Sequence, residues 1–352
     1  MSIFDFFHKA NNKKTTNIEN KYEEISFNIK TEAIVDDSVD KIYSTKLDGL
    51  LIGEIILLDW CNHQLKSIAP PGYFAFTYGI NYNNSIEKLF SKKLIRIGSP
   101  SESLSTLKAP ELKEILRAHD LKISGKKIDL ISRIQSNIEE DDYSDSIKES
   151  FVITNLGKSI LDKYELLVWA HKNGSKDYVV TPASVLPYIS SRKNFEKIAL
   201  KISSDEFIKN IRLNNFPMAQ VNLMYQSQLY KKMNDYPTAL TNTLLGLLFE
   251  FIGSNNTNGH DHVYFFKNSI FVNNYKSELV DFQKRLNLTN DAILSEMSTV
   301  YDAYEKNLPA IKLFENKQEV LDALNVILNG TTENFKEITE FWFNRIPEKY
   351  KI

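Results

Sequence analysis

Leu104-Ser-Thr-Leu-Lys-Ala-Pro-Glu-Leu-Lys-Glu-Ile-Leu-Arg-Ala-His-Asp-Leu-Lys-Ile-Ser-Gly-Lys-Lys-Ile-Asp-Leu-Ile-Ser-Arg-Ile-Gln-Ser-Asn-Ile138 carries two apolar stripes at helical spacing. Leu112, Ile115 and Leu116 recur at i, i+3 and i+4, preceded by Leu107. Ser105 or Thr106 can cap this first helix, and Pro110 fits its first turn, where a missing N–H is harmless. His119-Asp120 ends it. Ser124 is placed to cap a second helix with Leu130, Ile131, Ile134 and Ile138 on its apolar face, while Leu121 and Ile123 close the small core between the two. About thirty-five residues bury little surface, so the hairpin has to lean on the rest of the chain.

Its charges are the next signal. Residues 100–138 hold seven cations, Lys108, Lys113, Arg117, Lys122, Lys126, Lys127 and Arg133, against five acids, Glu102, Glu111, Glu114, Asp120 and Asp129. Extending back to Glu87 adds Lys88, Lys92, Lys93 and Arg96 against one acid. The whole 352-residue chain has 43 Lys+Arg and 45 Asp+Glu, a net charge of −2, so any attraction for a polyanion must come from such a local patch. Gly125-Lys126-Lys127 opens a helix, where unpaired N–H groups and the helix dipole favour an anion. Arg133, seven residues after Lys126, returns to the same face. The candidate contact set is therefore Lys126, Lys127 and Arg133 with Ser124 and Gly125, then Lys108, Lys113 and Lys122.

The pattern Leu107-x-x-x-Glu111-Leu112-Lys113-x-x-Leu116, followed by Leu121-x-x-Ser124-Gly125-x-Lys127-x-x-Leu130-x-x-Arg133-Ile134, resembles the SAP domain. That resemblance implies a helix–extension–helix module that binds DNA, often AT-rich duplex, and sometimes RNA. It covers one tenth of the chain. Asp120 stands where the family usually has glycine, which adds a negative charge. The arrangement also resembles uncharacterised SAP-containing prophage proteins, and the Asn-, Lys- and Ile-rich composition suits an AT-rich bacterial genome.

The flanks suggest a host for the module. Leu47–Trp60 and Asn81–Lys93 read as helices, Leu94–Ile97 as a short strand, and Phe151–Lys158 as a second strand ending in Thr-x-x-Gly and running into a helix at Ser159–His171. This order resembles the end of a winged helix-turn-helix with the SAP module inserted at the wing tip, a tolerated place for insertions. On that reading Asn84–Lys93 is the recognition helix, and Lys88, Lys92 and Lys93 lie near phosphates. Five acids in seven residues at Glu139–Asp145 predict a solvated loop. The expected organisation is mainly α: a flexible segment at 1–21, a winged-helix-like domain at 22–172 carrying the SAP module at 104–138 and an acidic loop at 139–150, and an α-helical domain at 175–352. The last should contain helices at Val221–Met233, Leu244–Ile252, Tyr275–Leu286, Asn290–Asn307, Lys317–Leu328 and Thr332–Phe343.

Other chemistry is thinly represented. There is no Walker A loop, Gly-x-Gly-x-x-Gly or Gly-x-Ser-x-Gly, so no cofactor and no catalytic residue is expected. Asn258-Gly-His-Asp-His262 is a metal-like cluster, but a catalytic site needs a third ligand and none is evident; a metal-dependent hydrolase built on His260 and His262 is the weaker alternative. Cys61 is the sole cysteine, which precludes an internal disulfide and fits a reducing cytoplasm. Met1–Lys9 lacks the features of a signal peptide and reads as a short helix, with Ile3, Phe4, Phe6 and Phe7 on it. No run is long and apolar enough to span a bilayer. The sequence thus predicts a cytoplasmic, non-enzymatic protein whose partner is DNA, or RNA, and whose C-terminal domain binds a protein partner or self-associates. The rival is an interaction scaffold whose SAP module binds no nucleic acid.

Overall fold

A computed structural model of the chain describes residues 41–174, 179–190, 194–253, 263 and 269–351, with side chains from 274 onward in the last of these. The expectations for Met1–Lys9, for the segment 1–21 and for His260 and His262 lie outside the described residues. The chain is mainly helical, and its described residues divide into two compact units, one built on residues 41–174 with 181–190 and the other on residues from 194 onward.

The first unit opens with a hairpin, β1 (Lys46–Leu47) and β2 (Leu50–Leu51), in the register Lys46↔Leu51 and Leu47↔Leu50. Asp48 and Gly49 between them have φ of 50° and 76°, as a two-residue hairpin loop requires, and Asp-Gly is well suited to this. The helix expected from Leu47 therefore begins only at Ile52, as α1 (Ile52–Trp60), buried on nearly every side. α2 (Tyr73–Phe76) is a single turn, and α3 (Tyr82–Ser91) is capped by Asn81, whose side chain accepts from the Asn84 N–H. The buried carboxylate of Glu54 ties the region together. It accepts from the Leu51 N–H at 2.8 Å, from Lys88 Nζ at 2.5 Å and from Ser85 Oγ at 3.4 Å.

β3 (Ile95–Ile97) follows, and the chain then leaves through α4 (Pro100–Ser103), α5 (Ala109–Ala118) and α6 (Lys127–Asn137). It returns in β4 (Phe151–Ile153), which pairs antiparallel with β3 in the register Ile95↔Ile153, Arg96↔Val152 and Ile97↔Phe151. The helical hairpin is thus an excursion between two paired strands. After β4, Thr154 caps α7 (Asn155–Lys163): its Oγ1 accepts from the Gly157 N–H at 3.1 Å and donates to Lys93 O at 2.7 Å. Gly157 lies so close that a Cβ there would sit 2.3 Å from Leu94 O, which explains the Thr-x-x-Gly spacing as a packing requirement. α8 (Glu165–Asn173) completes the unit.

The second unit is helical. α9 (Phe195–Arg212), α10 (Phe216–Lys232), α11 (Tyr236–Ile252), α12 (Ser269–Leu286), α13 (Asn290–Tyr304), α14 (Lys317–Asn329) and α15 (Thr332–Arg345) follow in order. Asp235 caps α11, and Pro237 sits in its first turn, where a proline costs no hydrogen bond. Every residue from Thr243 to Ile252 is buried, and a helix apolar all round belongs in the middle of a core. Phe251 meets Phe335 and Trp342, and Phe249 meets Phe207, Phe216 and Tyr304. No described helix is long and apolar enough to cross a membrane.

Candidate nucleic-acid interface

α5 and α6 pack around Leu112, Ile115, Leu116, Leu130, Ile134 and Ile138, from the stripes legible in the sequence, together with Leu104. Tyr143 joins this core at 3% exposure, and Ile147 packs on it. The acidic segment is therefore more than a solvated loop. Glu139, Asp141, Asp142 and Asp145 are exposed, but two short turns at 140–142 and 144–146 fold it back so that its one aromatic closes the hairpin core. This supplies apolar area that thirty-odd residues could not bury alone.

Both helix starts differ from the expectation. Ser105 and Thr106 lie in a separate turn at 104–106, and α5 starts after Lys108, whose N–H donates to Glu111 Oε2 at 2.6 Å. α6 starts after Lys126, not after Ser124, and the Lys126 N–H donates to Asp129 Oδ2 at 2.8 Å. In each case a carboxylate three residues on reaches back to satisfy an orphan donor, so no hydroxyl cap is needed. The start of α6 already holds one anion, Asp129, which a phosphate must share or approach beside. Gly125 precedes it at φ +129°, a conformation other residues rarely adopt.

The end of α5 accounts for Asp120. Its φ is +52°, its N–H bonds to Arg117 O at 3.1 Å, and the Leu121 N–H bonds to Leu116 O at 2.8 Å. These are the two bonds of a left-handed helix stop that glycine fills most readily.

Ser124, Gly125, Lys126 and Lys127 form one exposed tip, with Lys122 beside it and Ile128, 68% exposed, next in sequence. Lys127 Nζ donates to Ser105 O at 2.6 Å, which leaves two of its three protons for another acceptor. Arg133 Nη1 donates to Lys122 O at 2.5 Å and Ser124 O at 3.1 Å. Arg133 thus braces the connection that presents the lysines. Lys108 is exposed and Lys113 half-buried on α5. Glu111, Glu114 and Asp142 line a separate groove of about 380 Å³ with His119 and Tyr143, so the module is polarised.

Among the described residues, none of the seven cations of this module forms an ion pair, whereas Lys66, Lys88, Arg96, Lys163 and Lys172 around it each pair with a carboxylate. Of the secondary candidates, Lys88 is engaged by Glu54, while Lys92 and Lys93 are exposed at the end of α3. Arg96 grips Glu102 through two bonds of 2.7 and 2.6 Å, and this holds the Glu102 carboxyl down at about 2. Cys61 is wholly buried, and desolvation pushes its thiol up to about 12, so it is unreactive. No group of three or more His, Cys, Asp or Glu among the described residues could hold a metal ion.

One residue beside the tip carries no sequence signal. His63, 64 positions before Lys127, places its Nδ1 3.2 Å from Ser105 Oγ. Nothing in Asp-Trp-Cys-Asn-His indicates that proximity.

The family model of the SAP domain, a nucleic-acid-binding module, matches residues 103–139, the helical hairpin just described. Among curated proteins, none matches the chain.

Proposed function

We propose that this protein binds duplex DNA through its SAP module, chiefly at the sugar-phosphate backbone. The observation that carries this reading is the contrast in pairing: Lys66, Lys88, Arg96, Lys163 and Lys172 of the surrounding unit each pair with a carboxylate, and none of the seven cations of the hairpin does. Uncompensated ammonium groups at an exposed tip cost little in water and gain when they release counterions from a polyanion. Lys126, Lys127 and Lys122 make the principal contacts, with Lys108 and Lys113 as flanking ones. Ser124 and Gly125 shape the tip, and Arg133 braces it while keeping its remaining donors for a phosphate. Such contacts position a protein on DNA but read little sequence.

The helix–strand–strand–helix order around the module supports the winged-helix-like reading of the host, in which Lys92 and Lys93 extend the contact. The helical second unit is the part that recruits a protein partner or self-associates, and the chain does its work without catalysis. Titration of the full chain against AT-rich duplex, GC-rich duplex, single-stranded DNA and RNA at two salt concentrations tests the proposal. Tightest binding to duplex, weakening steeply with salt, supports it. No binding to any of the four favours a protein-interaction scaffold.

A further inference from the structure

We infer that His63 is a second, proton-gated contact to the phosphate chain, adjoining the SAP tip from outside the module. The inference rests on the nucleic-acid reading above. Three observations converge on it. Ser105 links the two elements: its carbonyl accepts from Lys127 Nζ at 2.6 Å, and its Oγ lies 3.2 Å from His63 Nδ1. His63 itself is exposed and held at φ +57°, with its N–H bonded to Phe151 O of β4 at 3.2 Å. A non-glycine residue in the left-handed region is uncommon and worth explaining.

The third observation is that the Ser105 hydroxyl can turn to either neighbour, Glu102 O or His63 Nδ1, each at 3.2 Å. Turned to Glu102 O, it keeps its lone pairs to accept from Nδ1–H, so the site accommodates a doubly protonated ring. The neutral imidazole offers a phosphate no charge. When the ring takes a second proton, Nε2–H becomes a cationic donor next to the Lys127 ammonium, and the two together bracket one phosphate group. The charged neighbours are Glu102, already committed to Arg96, Lys127 on α6, and the Lys66–Glu149 pair that flanks the His63 segment. The sequence places this histidine far from the module; the bonds of the 63–66 segment to residues 149–151, beside the β3–β4 pair, bring them together.

The experiment is anisotropy of a labelled mixed-sequence duplex with the full chain at about pH 8 and about pH 5.5, across a range of salt, the interval in which imidazoles change charge. Each additional phosphate contact is worth roughly threefold in affinity over a fourfold salt change, and about one in the log–log salt slope. The wild type should bind more tightly on acidification, most of all at the lowest salt, with a slope steeper by about one. His63→Gln should match the wild type at the higher pH and lack this increment. His63→Asn, a residue that tolerates φ > 0, guards against a folding artefact and should behave like the glutamine variant. Equal acid responses of wild type and both variants overturn the inference while leaving the nucleic-acid reading standing. Absence of binding by the wild type at either pH overturns both.

Discussion

Gly125→Ala puts the local geometry of the tip to the test. The residue sits at φ +129°, where side chains are rarely tolerated, and a Cβ would lie 3.1 Å from both Cβ and Oδ2 of Asp129. Two costs follow. Forcing alanine into this region strains the backbone by roughly 1–3 kcal/mol. Relieving the contact means moving the carboxylate that accepts from the Lys126 N–H at 2.8 Å, which erodes a hydrogen bond to a charged group. Together these should lower the stability of the first unit by about 2 kcal/mol, or some 4–8 °C in Tm. Amide exchange is the best assay, because opening should be enhanced at Lys126–Leu130 and the α5 contacts before β3 and β4 respond. Duplex affinity should fall as well, since Lys126 and Lys127 follow the strained residue directly. A variant that melts and exchanges like the wild type would refute the described helix start.

Asp120→Gly should do the reverse, stabilising the first unit by up to about 1 kcal/mol, because glycine adopts the left-handed stop that aspartate fills at a cost; an unchanged denaturation midpoint contradicts that assignment. Gly157→Ala should be severely destabilising, since its Cβ would overlap Leu94 O at 2.3 Å and Ile153 Cγ2 at 2.7 Å, and a soluble variant with native β3–β4 exchange protection would show the packing to be looser than described. The Glu102 carboxyl, lowered by Arg96 from 4.5 to about 2, contributes stability above its unfolded value that is lost as pH falls from about 4.5 through about 2. Both partners are substantially exposed, so the contribution is below about 1 kcal/mol, and an Arg96→Gln variant should lose the corresponding part of the acid sensitivity in denaturant titrations.

The sequence was most informative where structure is local. The stripes Leu112/Ile115/Leu116 and Leu130/Ile134/Ile138 define α5 and α6, and α12 to α15 fall close to where the spacing of apolar residues places them. The caps are not legible in the same way, because Glu111 and Asp129 reach back over three residues and do the work expected of Ser105 and Ser124. Tyr143 was hidden by its company: five neighbouring acids dictate solvent exposure, and one phenol on the inner side of the turns does not change that pattern. Glu54, buried under Lys88, reads in sequence as an ordinary helix acid, since a partner 34 residues away leaves no periodic trace. The same holds for His63 and Ser105. The cationic tip, by contrast, is readable as composition and spacing, although neither shows Arg133 as a brace on Lys122 and Ser124.

The central claim is that unpaired lysines at the start of α6 engage a sugar-phosphate chain. The most direct measurement is the slope of log affinity against log salt for the wild type and for Lys126→Ala/Lys127→Ala on the same duplex. The account predicts that the double variant loses affinity and that its slope is shallower by about two. Identical slopes and affinities for the two proteins would contradict it.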